Sequence, residues 1–283
     1  MQSQSQHGAI RFACSVRGEH GAGLISHGVP FRLVAESRAL LDLMKKHAPH
    51  GSVPSDRLPA DARRFALCRA QRKSGYELFA NEKLLENAAT LDHALILLGG
   101  HMMIYVAEHA PEYVFLHAGV VAWEHRALLL PGASHAGKST LVAELVRAGA
   151  TYYSDEFALL DSEGRVHPFT RDIRMRRPGA PDQVPLPLKQ LDGRAGTGPL
   201  RVSMVVFAEF AEHARWAPEA VTPGRAVLEL LLHSTPVQRT PGRTLATLSA
   251  TMRHARAWRS QRGEATVAAR SLLAALATAG RPV

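Results

Sequence analysis

The eight residues from Gly132 to Ser139 limit what this chain can fold into more than any other segment. They read Gly132-Ala133-Ser134-His135-Ala136-Gly137-Lys138-Ser139 and match the pattern G-x-x-x-x-G-K-[ST]. In such a loop the glycines let backbone N–H groups converge on an anion, the lysine reaches the β- and γ-phosphates, and the hydroxyl can bind Mg²⁺. The octet therefore predicts a site for a nucleoside triphosphate.

The flanking sequence places this phosphate loop between a strand and a helix. Residues 127–130 form a short apolar run, as in a buried parallel strand, and Leu141, Leu145 and Val146 have helical spacing. This order puts a bound phosphate at a helix N-terminus. We therefore include Thr140, in the first turn of that helix, in the predicted nucleotide site.

The overall composition is that of a folded protein. Of 283 residues, 46% are hydrophobic and 21% charged, enough for one large domain or two ordinary ones. The longest apolar stretch, 94–107, is interrupted by two glycines and a histidine, and the polar N-terminus lacks a signal core. Cys14 and Cys68 do not make a disulfide framework. We expect a cytoplasmic protein with no membrane partner.

The formal net charge of +9 raises the question of nucleic-acid binding. The densest basic stretch comprises Arg171, Arg174, Arg176 and Arg177, and neither zinc-ligand spacing nor an aromatic ladder accompanies it. Nucleotide phosphates or an acidic protein substrate explain the excess equally well. We therefore expect no nucleic-acid partner.

The N-terminal part, for which we set the bounds 1–87, has the pattern of a small α+β module. Residues 9–16 alternate in the manner of a strand, and residues 37–46 have the period of an amphipathic helix. Residues 64–69 and 76–80 are typical of paired strands joined across a glycine-containing turn.

Residues 88–283 have the alternation of an α/β nucleotide-binding domain. The predicted elements before the basic stretch are a helix at 90–109, strands at 113–122 and 127–130, the loop and its helix to 148, a strand at 151–154, and a hairpin of 157–160 with 165–167. The proline- and glycine-rich segment 178–199 predicts a long lid or docking loop. A strand at 200–210 and helices at 226–233, 245–257 and 265–279 complete the domain.

Two acidic residues follow the predicted strand at 151–154. At the carboxyl end of a core strand beside the phosphate loop, Asp155 and Glu156 would face the metal and the γ-phosphate. Asp155 can accept the proton of an incoming hydroxyl, and Glu156 can bind Mg²⁺. A turn with two solvated acids is the alternative.

His117 lies in the apolar strand at 113–122, which we expect beside the strand that leads into the loop. There His117 can face the phosphates and orient a carboxylate or stabilise charge. On the pattern alone, a core histidine bonded to a backbone carbonyl is the alternative.

Leu116-His117-Ala118-Gly119, the octet and Ser154-Asp155-Glu156 together resemble the nucleotide domain of HPr kinase/phosphorylase and its relatives. The resemblance covers residues 113–176 and implies the α/β fold shared with phosphoenolpyruvate carboxykinases, here behind a small N-terminal α+β module. It implies phosphorylation of a serine or threonine hydroxyl on a peptide or small protein, with ATP and Mg²⁺.

The same resemblance implies a role for each matching residue. Asp155 would be the base, Lys138 the γ-phosphate anchor, and Ser139 and Glu156, together with Asp155, the Mg²⁺ site, which His117 would complete. The second acid departs from the family's usual Asp-Asp pair, and the C-terminal signature linked to phosphorolysis is missing. A divergent branch that includes peptide-modifying kinases looks closer, which implies a peptide acceptor, a small peptide-binding chaperone as a partner, and self-association.

Arg174 and Arg176 would share one face of a strand, so this pair is our predicted transition-state contact to the γ-phosphate. A basic strand edge is the alternative. For the whole protein, the rival functions are a nucleotide-binding switch or ATPase regulator on the same fold, a kinase for a small hydroxylated metabolite, and a peptide-binding module that keeps the loop as a relic.

Overall fold

The computed structural model describes residues 20–70, 74–132, 136–176 and 183–278. The predicted strand at 9–16 lies outside these residues, as do Ala133, Ser134, His135 and Arg177. The chain divides into two compact units, the first ending at Val106 and the second beginning at Ala107.

In the described part of the first unit, six strands form a single sheet. Its elements are β1 (His20–Ser26), β2 (Val29–Ala35), α1 (Arg38–Lys46), β3 (Val53–Pro54), β4 (Arg63–Arg69), β5 (Tyr76–Ala80), β6 (Lys83–Ala88) and α2 (Leu91–His109). The strand order is β3-β1-β2-β4-β5-β6, and the pairing of β2 with β4 is parallel. The predicted α+β character of this module is thus confirmed.

Both helices of this unit begin at the residues that the sequence indicates. The Ser37 hydroxyl accepts from the backbone N–H of Leu40, and the Thr90 hydroxyl accepts from that of His93. These are side-chain caps of helix N-termini. Helix α2 up to Val106 groups with the first unit, whereas the sequence led us to expect a division near residue 87.

Contacts with the first sheet explain why that helix groups with it. The Tyr105 ring packs edge-on against Phe65, with 5.8 Å between ring centroids, and His101 Nε2 lies 3.5 Å from a carboxylate oxygen of Glu86. A division before α2 would separate these pairs, which no local sequence pattern reveals.

Among the residues described for the second unit, eight strands form one sheet. The elements are β7 (Val114–Trp123), β8 (Arg126–Pro131), α3 (Lys138–Arg147), β9 (Thr151–Ser154), β10 (Phe157–Leu160), β11 (Arg165–His167), β12 (Ile173–Arg176), β13 (Gln183–Leu186), β14 (Leu200–Phe210), β15 (Glu219–Val221), α4 (Pro223–Leu232), α5 (Pro241–Met252), β16 (Arg256–Arg262) and α6 (Ala265–Thr278). The main order is β11-β10-β7-β8-β14-β16-β15, β9 pairs with β7, and β12 and β13 form a separate pair.

Helices cover both faces of this sheet, and apolar side chains alternate between the two. Leu128 and Leu130 of β8 pack with α3 and α6, whereas Leu129 packs with α4 and α5. A strand buried on both faces is apolar at every position. This explains the continuous apolar run before the phosphate loop.

The segment predicted as a long loop, 178–199, contains regular structure. Strand β13 pairs with β12, Ile173 opposite Leu186, and a short 3₁₀ helix follows at Leu188–Leu191. A proline within β13 hid the strand from the sequence pattern, since proline is tolerated in a strand only where its missing donor is not needed.

The helix predicted at 245–257 is wrong in its last part. Helix α5 ends at Met252, and Arg256–Arg262 forms β16 between β14 and β15. Most residues of β16 are polar, and its partner β14 is distant in sequence. Long-range pairing rather than local periodicity decides the conformation here.

Five described strands of the second unit, β8, β9, β10, β14 and β16, run in one direction. All of them except β10, which starts after the turn that follows β9, end at one edge of the sheet. Strand β14 is parallel to both β8 and β16. Strand β9 also runs as β8 does, because β7 is antiparallel to both. In such sheets ligands bind outside the carboxyl ends of the strands.

No helix in the described parts of the chain is long and apolar enough to cross a bilayer.

The turn between β10 and β11 provides a test of the second unit's packing. Gly164 has φ +77°, and a Cβ there would overlap the backbone of Ala250 and Thr251 in α5. We expect Gly164→Ala to lower the free energy of unfolding of this unit by about 2–4 kcal/mol. Urea unfolding followed by tryptophan fluorescence reports on it, because all three tryptophans lie beyond residue 106.

Gly198→Ala is the matched control. Within the described residues, and apart from Gly198 itself and its two chain neighbours, no heavy atom lies within 4 Å of a Cβ built at that position. Equal shifts of the unfolding midpoint for the two variants would contradict the packing described for the turn.

Candidate active site

The segment predicted as a phosphate loop, for which we keep that name, connects β8 to α3 at the carboxyl edge of the sheet. Gly137 adopts a left-handed conformation, φ 75° and ψ 19°, and α3 begins at Lys138. Glycine adopts this conformation without the strain that a side chain would add. The predicted strand–loop–helix order is confirmed around the loop, of which Ala133, Ser134 and His135 lie outside the described residues.

Gly119, in the segment that contains His117, allows α3 to pack closely on β7. A Cβ at Gly119 would lie 2.6 Å from Cγ2 of Val142, too close for any real contact. The absence of a side chain there brings the first turns of α3 against the sheet, and with them Lys138 and Ser139.

The Lys138 ammonium is partly buried within the loop. Its Nζ donates to the carbonyl oxygen of Gly132 at 2.8 Å. Burial lowers the pKa of Lys138 to about 8, and the negative charges of Asp155 and Glu156 oppose that shift. Near neutral pH, Lys138 therefore carries its charge but holds it less strongly than an exposed lysine does.

Asp155 is the most extensively hydrogen-bonded side chain of the site. Its Oδ2 accepts from Ser139 Oγ at 3.0 Å and from the backbone N–H of Arg174 at 3.2 Å. Its Oδ1 accepts from the Tyr152 hydroxyl at 2.9 Å. Asp155 is only 4% exposed, so these donors replace the water that a carboxylate otherwise needs.

The turn between β9 and β10 fixes where the two acids stand. The Ser154 hydroxyl accepts from the backbone N–H groups of Glu156 and Phe157, at 3.1 and 3.0 Å. This side-chain turn holds the backbone of Asp155 and Glu156 at the end of β9, as the sequence predicts.

Tyr152 has a site contact that the sequence interpretation missed. The Tyr152 ring is fully buried, and its hydroxyl donates to Asp155. Burial and the charge of Asp155 raise the pKa of Tyr152, so the hydroxyl keeps its proton. An apolar pattern does not distinguish a core tyrosine from one whose hydroxyl serves a site.

Arg171 joins the two acids. Its Nη1 lies 2.5 Å from Oε2 of Glu156, and its Nε lies 3.7 Å from Oδ1 of Asp155. Burial raises the pKa of Glu156, and the positive charge of Arg171 counters that effect. Glu156 is therefore a partly buried carboxylate with the Arg171 cation beside it.

Arg174 and Arg176 are the arginines predicted from the sequence to contact the γ-phosphate. Arg174 contributes its backbone N–H to Asp155, while its side chain is exposed. Only the backbone of Arg176, in β12, is among the described atoms. Arg171 precedes β12, so the pattern of a shared strand face does not include it.

His117 lies beside the acids, on the strand next to β8 as predicted. Its Nδ1 is 2.8 Å from the backbone oxygen of Glu156, and its backbone N–H donates to the carbonyl of His233. A carbonyl only accepts, so Nδ1 carries the proton. Burial and the nearby Lys138 lower the pKa of His117, which keeps the imidazole neutral at pH 7.

Arg262 is a further residue at the loop that the sequence interpretation missed. It ends β16, is 3% exposed, and its Nη2 donates to the carbonyl of Gly137 at 2.9 Å. The local sequence predicts no strand at β16, so it gives no reason to expect Arg262 at the loop.

These groups match the ligand preferences of Mg²⁺. This ion is typically bound by one or two carboxylates together with phosphates and waters. Ser139 Oγ and Asp155 Oδ2 are adjacent, and Glu156 follows in sequence. Within the described residues there is no cluster of three or more His, Cys, Asp or Glu side chains able to hold a metal by themselves.

Comparison with protein-family models gives no match to this chain, and comparison with curated proteins gives no significant match.

The lowered pKa of Lys138 predicts that nucleotide affinity depends on pH. A bound phosphate favours the ammonium and raises its pKa, so binding requires proton uptake once the pH exceeds about 8. We expect the affinity for Mg²⁺-ATP to fall by up to about tenfold per pH unit above that value. Calorimetric titrations from about pH 7 to about pH 9.5 measure it.

Lys138→Arg is the control, because a guanidinium stays charged across this range. Its affinity should be lower at pH 7 but flat with pH. A wild-type affinity that does not change over the same range would contradict the pKa direction given above.

Proposed function

We propose that the second unit is a Mg²⁺- and ATP-dependent kinase that phosphorylates a serine or threonine hydroxyl of a peptide or small protein. The observation that supports this most is the hydrogen bond from Ser139 to Asp155. It joins the phosphate loop to an acid pair, and phosphoryl transfer needs both a phosphate cradle and carboxylates beside it.

In the proposed reaction the acceptor oxygen bonds to the γ-phosphorus as the bond from phosphorus to the β,γ-bridging oxygen breaks. ADP leaves, and the hydroxyl proton passes to a carboxylate of the enzyme. When bound, Mg²⁺ supplies neutralisation of charge on the β- and γ-phosphates. Lys138 would turn from the Gly132 carbonyl to the γ-phosphate.

The contacts favour a different division of roles between the acids from the one that the resemblance implies. The resemblance implies that Asp155 is the base and that Glu156 binds the metal. In the structure Asp155 already accepts from Ser139, the predicted metal ligand, and both of its oxygens have donors. We therefore assign Asp155 to the Mg²⁺ side of the site.

Glu156 then becomes the group that receives the proton. Among the described residues, its carboxylate has one ion pair, with Arg171. Burial raises its pKa towards the range in which a general base works well at neutral pH. Arg171 would keep it ionised before the reaction and share the charge of the transferring group.

His117 would act as a neutral positioning residue rather than as an acid or base. Its Nδ1–H holds the backbone oxygen of Glu156, and its burial beside Lys138 disfavours a second positive charge. The polypeptide acceptor, the peptide-binding chaperone partner and self-association rest on the resemblance alone.

The experiment that tests the proposal is incubation of the purified protein with Mg²⁺, γ-labelled ATP and a lysate of its own organism. We expect a labelled polypeptide band that is absent with Lys138→Ala. Label confined to small molecules would favour a metabolite kinase, and bound nucleotide without transfer would favour a switch or ATPase regulator.

Neutralising each acid in turn should have different effects on ATP binding and on transfer. We expect Asp155→Asn to lose the part of the ATP affinity that depends on Mg²⁺. Glu156→Gln should keep that affinity within a few-fold, while labelling of the acceptor band falls by about a hundredfold or more. Calorimetry with and without Mg²⁺ and the rate of band labelling measure the two effects.

Asp172→Asn, which removes an exposed carboxylate next to Arg171, is the matched control and should change neither quantity. If Asp155→Asn kept its full Mg²⁺-dependent affinity and lost only transfer, the roles implied by the resemblance would be right and ours wrong.

A further inference from the structure

The carboxyl end of β14 carries an aromatic side chain that the proposed reaction does not use. Phe210 is the last residue of that strand and is 57% exposed. A single exposed hydrophobic residue needs no explanation by itself. The position of this one does, because β14 lies next to β8, which leads into the phosphate loop.

Arg262 connects this ring to the loop. Phe210 and Arg262 are register partners at the ends of the parallel strands β14 and β16. The guanidinium carbon of Arg262 lies 5.5 Å from the centroid of the Phe210 ring, and Nη2 of the same group donates to the carbonyl of Gly137. One guanidinium therefore spans the distance between the phosphate loop and the ring.

The strand order places Phe210 on the side of the loop opposite the acids. The sheet reads β10-β7-β8-β14-β16, and Asp155 and Glu156 stand between β9 and β10, on the β7 side of β8. A nucleotide whose γ-phosphate faces the acids can place its nucleoside on the β14 side of the loop. The exposed ring lies at the end of that strand.

We propose that Phe210 stacks against the base of the bound nucleotide, with Arg262 supporting the ring through a cation–π contact. This proposal rests on the nucleotide site proposed above. A purine presents a flat π-face, and stacking on an aromatic side chain is a common way of holding a base. The contact with the Arg262 cation accounts for the position of this partly exposed ring.

The test compares a ligand that has a base with one that has none. Affinities for ATP and for inorganic tripolyphosphate, each with Mg²⁺, are measured by calorimetry for the wild type and for Phe210→Ala, Phe210→Leu and Phe210→Trp. We expect the alanine and leucine variants to bind ATP roughly tenfold more weakly. The tryptophan variant should bind at least as tightly as wild type, and the tripolyphosphate affinity should stay constant throughout.

Leu232→Ala is the matched control, because it truncates another exposed apolar residue of the same unit, at the end of α4. It should leave both affinities unchanged. Arg262 is unsuitable for this comparison, since it also holds the backbone of the loop.

Two results would overturn the proposal: ATP affinity unchanged in Phe210→Ala, or an equal loss for ATP and tripolyphosphate, which would make Phe210 a support of the loop. Lys138→Ala tests the nucleotide site separately and should weaken both ligands. If Lys138→Ala had no effect while Phe210→Ala weakened ATP alone, the proposed phosphate site would fall and the base contact would stand. A wild type that binds neither ligand would refute both.

Discussion

The organisation of the second unit depends on the buried carboxylate of Asp155. Its hydrogen-bond donors come from three elements: Ser139 of α3, Tyr152 of β9 and the backbone of Arg174 in β12. A carboxylate removed from water costs several kcal/mol unless such donors replace its hydration. The helix after the phosphate loop and the turn after β9 therefore cannot move apart without exposing an uncompensated charge. The groups of the candidate site are thus held next to one another by their own hydrogen bonds.

The charges around that carboxylate partly oppose the effects of burial on one another's pKa values. Burial lowers the pKa of Lys138 and raises that of Glu156, and in each case a charge of opposite sign in the site opposes the shift. Arg171 pairs with Glu156 and approaches Asp155. Such a site gains electrostatically from a polyanion next to Lys138, because the ligand supplies negative charge where burial makes the ammonium least stable. In the proposed complex, phosphate binding and retention of the proton on Lys138 would therefore be coupled.

The features that could be predicted from the sequence are those encoded by residues close together in the chain. The glycine spacing before Lys138, the acid pair after a short apolar strand and the histidine of an apolar strand are local patterns, and the structure brings all three together. The residues that were missed depend on pairing between distant segments. Arg262 reaches the loop only because β16 pairs with β14. The sequence of β16 is mostly polar and has no strand signal. Tyr152 was missed because a tyrosine in a short strand carries no local signal of what its hydroxyl contacts.

The order of the strands determines more than the placement of the phosphate loop. Because β7 separates β8 from the acids on one side and β14 adjoins β8 on the other, the carboxyl edge of the sheet has a polar end and an aromatic end. A phosphate loop alone positions phosphates and leaves open which way the rest of the nucleotide extends. Here the carboxylates and Arg171 lie on the β7 side of the loop, and Phe210 lies on the β14 side. In the proposed complex, this strand order would direct the γ-phosphate towards the acids and the base towards Phe210.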